Sequence, residues 1–264
     1  MARKRKLDLK KTLFLLPNMI TLASIFCGFR SMTLSANAPA GQGGDDYYRA
    51  ALFLVFAIFF DMLDGRVARM TKTQSAFGLQ IDSLADAISF GVAPALLVFK
   101  WCLYQRPFEG TVVAFAFAAA GVVRLARFNV LTMDESGKPQ KPGKYIIGLP
   151  VPGAAGVLMA VIVSNHTISG NLASYAVPIE GLVLFLAFLM VSTIRFRSFK
   201  DLKLNSRTVL LVFFAVGSSA VISLRTKPSF VLVWLLSLYV LIGLVETLLG
   251  LLRKPRAEER PLAD

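Results

Sequence analysis

RAALFLVFAIFFDMLDGRVAR, residues 49–69, decides the fold. It opens as an apolar run and ends in DMLDGRVAR, where two aspartates and two arginines close the same stretch. A helix needs about 20 largely apolar residues to cross the hydrocarbon core. Ionisable side chains at that depth are expensive, so they mark a functional site by default. The whole chain supports a membrane setting: of its 264 residues 55% are hydrophobic and only 17% charged, outside the range of soluble globular domains. The formal net charge of +13 does not indicate nucleic acid, because the basic residues sit between apolar runs rather than on one solvated face.

Outward from this stretch, runs of spanning length fall at 13–34, 48–70, 78–103, 109–131, 150–169, 172–193, 207–224 and 229–252. The expectation is an all-α polytopic membrane protein of about eight transmembrane helices. It forms a single membrane domain over 1–264, with a basic segment at 1–12, core helices over 13–193, two additional helices over 207–252 and a tail at 253–264. MARKRKLDLKK resembles the charged start of a signal peptide, but the run behind it is long enough to span, so an uncleaved first helix is expected. Cytoplasmic loops retain lysine and arginine. With the N-terminus inside, 23 of the 29 basic residues fall on inner segments and 5 on outer connections, leaving Arg30 near the outer end of the first span. That asymmetry predicts an even number of crossings with both termini cytoplasmic. The 164–171 loop, without lysine or arginine, is placed outside, and its His166 is read as a solvated loop residue. Cys27 and Cys102 lie in or beside apolar runs and provide neither a disulfide framework nor a zinc pair.

This topology puts four carboxylates in one leaflet. Asp61 and Asp64, at i and i+3, share a face of the second span; Asp82 and Asp86, at i and i+4, share a face of the third. The short connection around 71–77 makes the two helices antiparallel neighbours, so the faces can meet. Each carboxylate costs about 2.5–3.5 kcal/mol at a helix centre before mutual repulsion, so positive charge is required among them. Arg66 and Arg69 can supply part of it as a structural salt-bridge cluster. An all-oxygen ligand set also suits magnesium or manganese, two of which can clamp a phosphoryl group. Gly65, Ala68 and Gly78 flank the same turn, where small residues permit either close helix packing or a ligand lying against the backbone.

Read together, D61-ML-D64-G65-RV-A68-R69, eight residues, then G78-LQI-D82-SLA-D86, is identified as the signature of the CDP-alcohol phosphatidyltransferase family, without departure. The resemblance implies a six-helix core and transfer of a phosphatidyl-type group from a CDP-linked lipid to an alcohol, with release of CMP. It also implies two Mg2+ or Mn2+ ions among Asp61, Asp64, Asp82 and Asp86, with Asp86 doubling as general base. Gly65, Ala68 and Arg69 would contact the cytidine diphosphate part. PNMITLAS at 17–24, DSLADAISFGVAPA at 82–95, RLARFN at 124–129 and GLPVPG at 148–153 resemble the membrane-integral phosphatidylserine synthase branch. That branch implies CDP-diacylglycerol and L-serine as substrates and a prokaryotic cytoplasmic membrane with the active site facing the cytoplasm. Homodimers are common in such families, so a homodimer is among the states implied.

Serine presents an ammonium, a carboxylate and a hydroxyl. Arg124, Arg127 and Asn129 at the end of span four and Arg195 at the end of span six share the depth of the aspartates. An arginine can grip a carboxylate by two parallel hydrogen bonds, although each also reads as a positive-inside anchor. Glycerol 3-phosphate or an inositol phosphate would use arginines as well, and choline is a further acceptor, so the choice of serine rests on the branch-like motifs. Asn18 reads as a nucleotide contact or as the cap of a helix broken at Pro17, and Ser75 as a phosphate or cytidine contact. Spans seven and eight, with Glu246, read as scaffold or dimer surface. Outside the family, a cation transporter could use the aspartates, but conduction needs polar groups through both leaflets.

Overall fold

The computed structural model describes residues 9–71, 73, 75–132 and 145–197, with isolated positions between 231 and 241. The expected spans at 207–224 and 229–252, and Glu246, otherwise lie outside those residues. The described helices are α1 (Leu9–Asn37), α2 (Gly44–Thr71), α3 (Ala76–Asp86), α4 (Ala93–Trp101), α5 (Pro107–Thr132), α6 (Val151–Thr167) and α7 (Ala176–Val191). Among the described residues, three stretches are long and apolar enough to cross a membrane: Leu16–Asn37, Ala76–Trp101 and Pro107–Leu131. α2 has 28 residues but carries charges at both ends, and α6 and α7 are shorter, at 17 and 16 residues.

α1 and α2 pack antiparallel on small side chains. Ala50, Ala51 and Ala57 are fully buried, which brings the α2 backbone close enough for Ser24 Oγ to donate to the Ala57 carbonyl at 3.1 Å. The helix is not broken at Pro17, as the sequence suggested; α1 runs through it. Thr21 Oγ1 lies 3.1 Å from the Pro17 carbonyl oxygen.

The third span is three segments end to end, since a π-helix over Ala87–Val92 joins α3 to α4. Pro94 has no N–H to return to Phe90, and the preceding N–H, of Ala93, reaches back five residues to the Ile88 carbonyl. The wider turn seats Ser89 against α1, with Ser89 Oγ donating to the Ser24 carbonyl at 3.2 Å. A Cβ on Gly28 would lie 2.8 Å from Ser89 Oγ, so this crossing requires glycine. The core beneath is made by Phe90, Leu97, Phe117, Leu149, Met159, Ile162, Leu186 and Leu189, all less than 2% exposed.

One element was absent from the hydropathy reading. Tyr145–Ile147 (β1) and Arg195–Arg197 (β2) form a two-stranded antiparallel ladder that pairs Ile147 with Arg195. Gly148 follows at φ +77, where L side chains are strained, and its N–H donates to the Ile194 carbonyl at 2.8 Å. The chain then enters α6 behind Pro150, with Pro152 in the first turn, where a missing N–H does no harm. Much of GLPVPG therefore has a backbone explanation.

At the end of the bundle away from the aspartates, Arg106 Nη1 donates to Glu180 Oε2 at 2.8 Å. His166 lies in the last turn of α6 rather than in a solvated loop. It stacks on Tyr48 at 4.5 Å between ring centroids, with Nε2 3.5 Å from Asp45 Oδ1. The reason is proximity: the start of α2 meets the end of α6, and the imidazole covers the gap.

Candidate active site

Ligand oxygens of Asp61, Asp64 and Asp82 lie within 4.8 Å of one another, joining the last turns of α2 to α3. Asp86, one turn further along α3, has Asp61, Asp82 and Arg124 as its charged neighbours. Its Oδ1 is buried with no hydrogen-bond partner. A buried orphan oxygen beside three converging carboxylates fits an oxygen-liganded dication, because such atoms are otherwise almost always satisfied. Arg124, 6% exposed on α5, is a charged neighbour of Asp86, and Arg69 is one of Asp64.

Asp64 is buried, at 4% exposed. Thr21 on α1 reaches it, with Oγ1 2.7 Å from Asp64 Oδ2. Sequence reasoning passed over Thr21, yet the signal was present: it lies three residues after Asn18, on the same helical face.

The nucleotide-side candidates gather at the α2–α3 turn. A Cβ on Gly65 would lie 3.5 Å from Arg69 Nη1, so the guanidinium folds back over a bare backbone. Ser75 caps α3, its hydroxyl accepting from Gly78 N–H at 3.0 Å. A Cβ on Gly78 would lie 3.8 Å from Asn18 Oδ1, which places Asn18 over the start of α3. The Ala68 carbonyl accepts from Thr73 N–H at 3.0 Å and closes the turn.

The candidates for the acceptor divide. Asn129 on α5 is tied to α3, with Nδ2 donating to Ser83 Oγ at 2.9 Å. Arg127 Nη1 donates to the Val191 carbonyl at 2.8 Å and Nη2 to that of Ser192 at 3.2 Å. These contacts make Arg127 the clamp on the C-terminus of α7, where cations are favoured. Arg195 is a β2 residue paired with Ile147. Arg124 combines burial with a carboxylate of the cluster as neighbour.

Comparison with known proteins agrees with this geometry. A family model described as CDP-alcohol phosphatidyltransferase matches residues 14–195. A Helicobacter pylori (strain J99) protein named CDP-diacylglycerol--serine O-phosphatidyltransferase is 34% identical over 236 residues, covering 88% of this chain and 91% of the relative. A Bacillus subtilis protein of the same name is 32% identical over 185 residues, covering 70% and 91%. One from Saccharomyces cerevisiae is 38% identical over 144 residues, covering 54% and 51%. With the aspartate cluster assembled and the match running through all seven described helices, the chain belongs to the CDP-alcohol phosphatidyltransferase family.

Proposed function

We propose that the protein transfers the phosphatidyl group of CDP-diacylglycerol to the hydroxyl of L-serine, giving phosphatidylserine and CMP. The observation that carries the reading is the convergence of Asp61, Asp64 and Asp82 beside the orphaned Oδ1 of Asp86. The names of the relatives support serine as acceptor.

Asp61, Asp64, Asp82 and Asp86 would hold two Mg2+ or Mn2+ ions, which supply Lewis-acid neutralisation of diphosphate charge. Arg69, folded over Gly65, holds the diphosphate oxygens of the CDP part, and Asn18, Ala68 and Gly78 line its approach to the backbone, with Ser75 fixing the turn. Arg124 grips the serine carboxylate beside Asp86, and Asn129 and Arg195 complete the acceptor end. An alcohol is a weak nucleophile, so Asp86 accepts the hydroxyl proton as the serine oxygen bonds to the phosphorus carrying diacylglycerol. The bond from that phosphorus to the bridging oxygen breaks, and CMP leaves with the electron pair. In the proposed topology eight spans place both termini and this site at the cytoplasmic face of a prokaryotic membrane, where a tailed donor and a water-soluble acceptor meet. A homodimer is the proposed assembly.

An acceptor panel tests the reading. Purified protein with CDP-diacylglycerol and Mg2+ or Mn2+ is expected to release CMP with L-serine. Release with glycerol 3-phosphate, an inositol phosphate or choline, and none with serine, overturns the acceptor while keeping the chemistry.

A further inference from the structure

The Thr21 hydroxyl has one proton and two acceptors in reach, Asp64 Oδ2 at 2.7 Å and the Pro17 carbonyl at 3.1 Å. The carboxylate is the nearer and the charged one, so it takes the proton. Thr21 is 5% exposed and Asp64 4%, which leaves neither side chain room to swing away. One oxygen of Asp64, Oδ2, is therefore held by a hydrogen bond from α1.

We propose that Thr21 is a positioning residue that restricts Asp64 to one-oxygen ligation and so biases the cluster towards small octahedral dications, Mg2+ or Mn2+, over Ca2+. The reasoning is coordination chemistry. Mg2+ requires near-ideal octahedral geometry at short distances and keeps several waters, taking one oxygen from each of one or two carboxylates. Ca2+ takes six to eight oxygens and often gathers two from one carboxylate. A hydrogen bond held on Oδ2 fixes the orientation of the carboxylate and takes up one lone pair of that oxygen, which disfavours the second mode, in the way that outer-shell partners orient ligands generally. The inference rests on the cluster binding a divalent cation, as proposed above.

Full-length protein in detergent, titrated with Mn2+ followed by electron paramagnetic resonance, gives bound metal without turnover; displacement by Mg2+ and by Ca2+ then gives a selectivity ratio. Thr21→Val removes the hydroxyl at nearly constant volume, and Thr21→Ala removes it should valine disturb the helix contact. Both are expected to shift the ratio towards Ca2+ by about 10-fold, while Thr21→Ser stays within about twofold of wild type. An unchanged ratio in Thr21→Val and Thr21→Ala overturns the inference and leaves the metal site standing. Equal weakening for both ions, the result of a merely structural role, also overturns it. Wild-type protein that binds no Mn2+, or binding that Asp82→Asn does not diminish, overturns the metal site and the inference together.

Discussion

Arg106→Met separates structural charge from catalytic charge within one helical bundle. Glu180 is 8% exposed, its Oε1 has no hydrogen-bond partner, and its Oε2 accepts from Arg106 at 2.8 Å. Removing the arginine strands a carboxylate on α7. Breaking a fully buried pair this way costs about 3–5 kcal/mol. The Arg106 side chain is 40% exposed, so screening reduces the expected loss to about 1–3 kcal/mol. Its second partner, Glu109 at 3.2 Å, is 51% exposed on the side-chain scale and adds little. At about 3 °C per kcal/mol for a chain of this size, thermal unfolding in detergent should shift down by about 3–9 °C. Pairing Arg106→Met with Glu180→Gln removes the stranded charge, so the double variant should recover most of the loss. CMP release per folded enzyme, measured well below the transition, should match wild type, because the pair sits at the opposite end from the aspartates. An unshifted transition in Arg106→Met, or a double variant no more stable than the single, refutes the reasoning.

Three further outcomes follow from the geometry. Gly148→Ala places a Cβ against the Met190 carbonyl oxygen at a positive φ; it should lose about 1–2 kcal/mol from the backbone alone, read as a lower unfolding temperature, with more from the overlap. Asn129→Leu cuts the tie to Ser83 and should cost about 1 kcal/mol of stability. It should also lower kcat by about 10-fold, because α5 then no longer holds Arg124 in register with Asp86. Asp86→Asn should lower kcat by about 10^2–10^4-fold in steady-state assays while CDP-diacylglycerol still binds.

What could be read from residues alone divides by the kind of signal. Helices α1, α2 and α5 follow from apolar length, and the meeting of Asp61 and Asp64 with Asp82 follows from i,i+3 and i,i+4 spacing across a short turn. Thr21 was harder, because its hydroxyl matters only through a partner 43 residues away, and a threonine in an apolar run carries no charge to be explained. The π-helix leaves little compositional trace beyond Pro94, and a ladder of three-residue strands is too short for any periodicity to register. Arg127 shows the limit of reasoning from depth. Arg127 and Arg124 are three residues apart and equally placed by hydropathy, yet one clamps carbonyls of α7 and the other faces Asp86.

The most direct measurement follows labelled L-serine and CMP together. One labelled phosphatidylserine is expected for each CMP released, lost on chelation, restored by Mg2+ or Mn2+, and lost in Asp82→Asn. CMP formed without labelled lipid, or equal turnover after chelation, would contradict the proposed reaction.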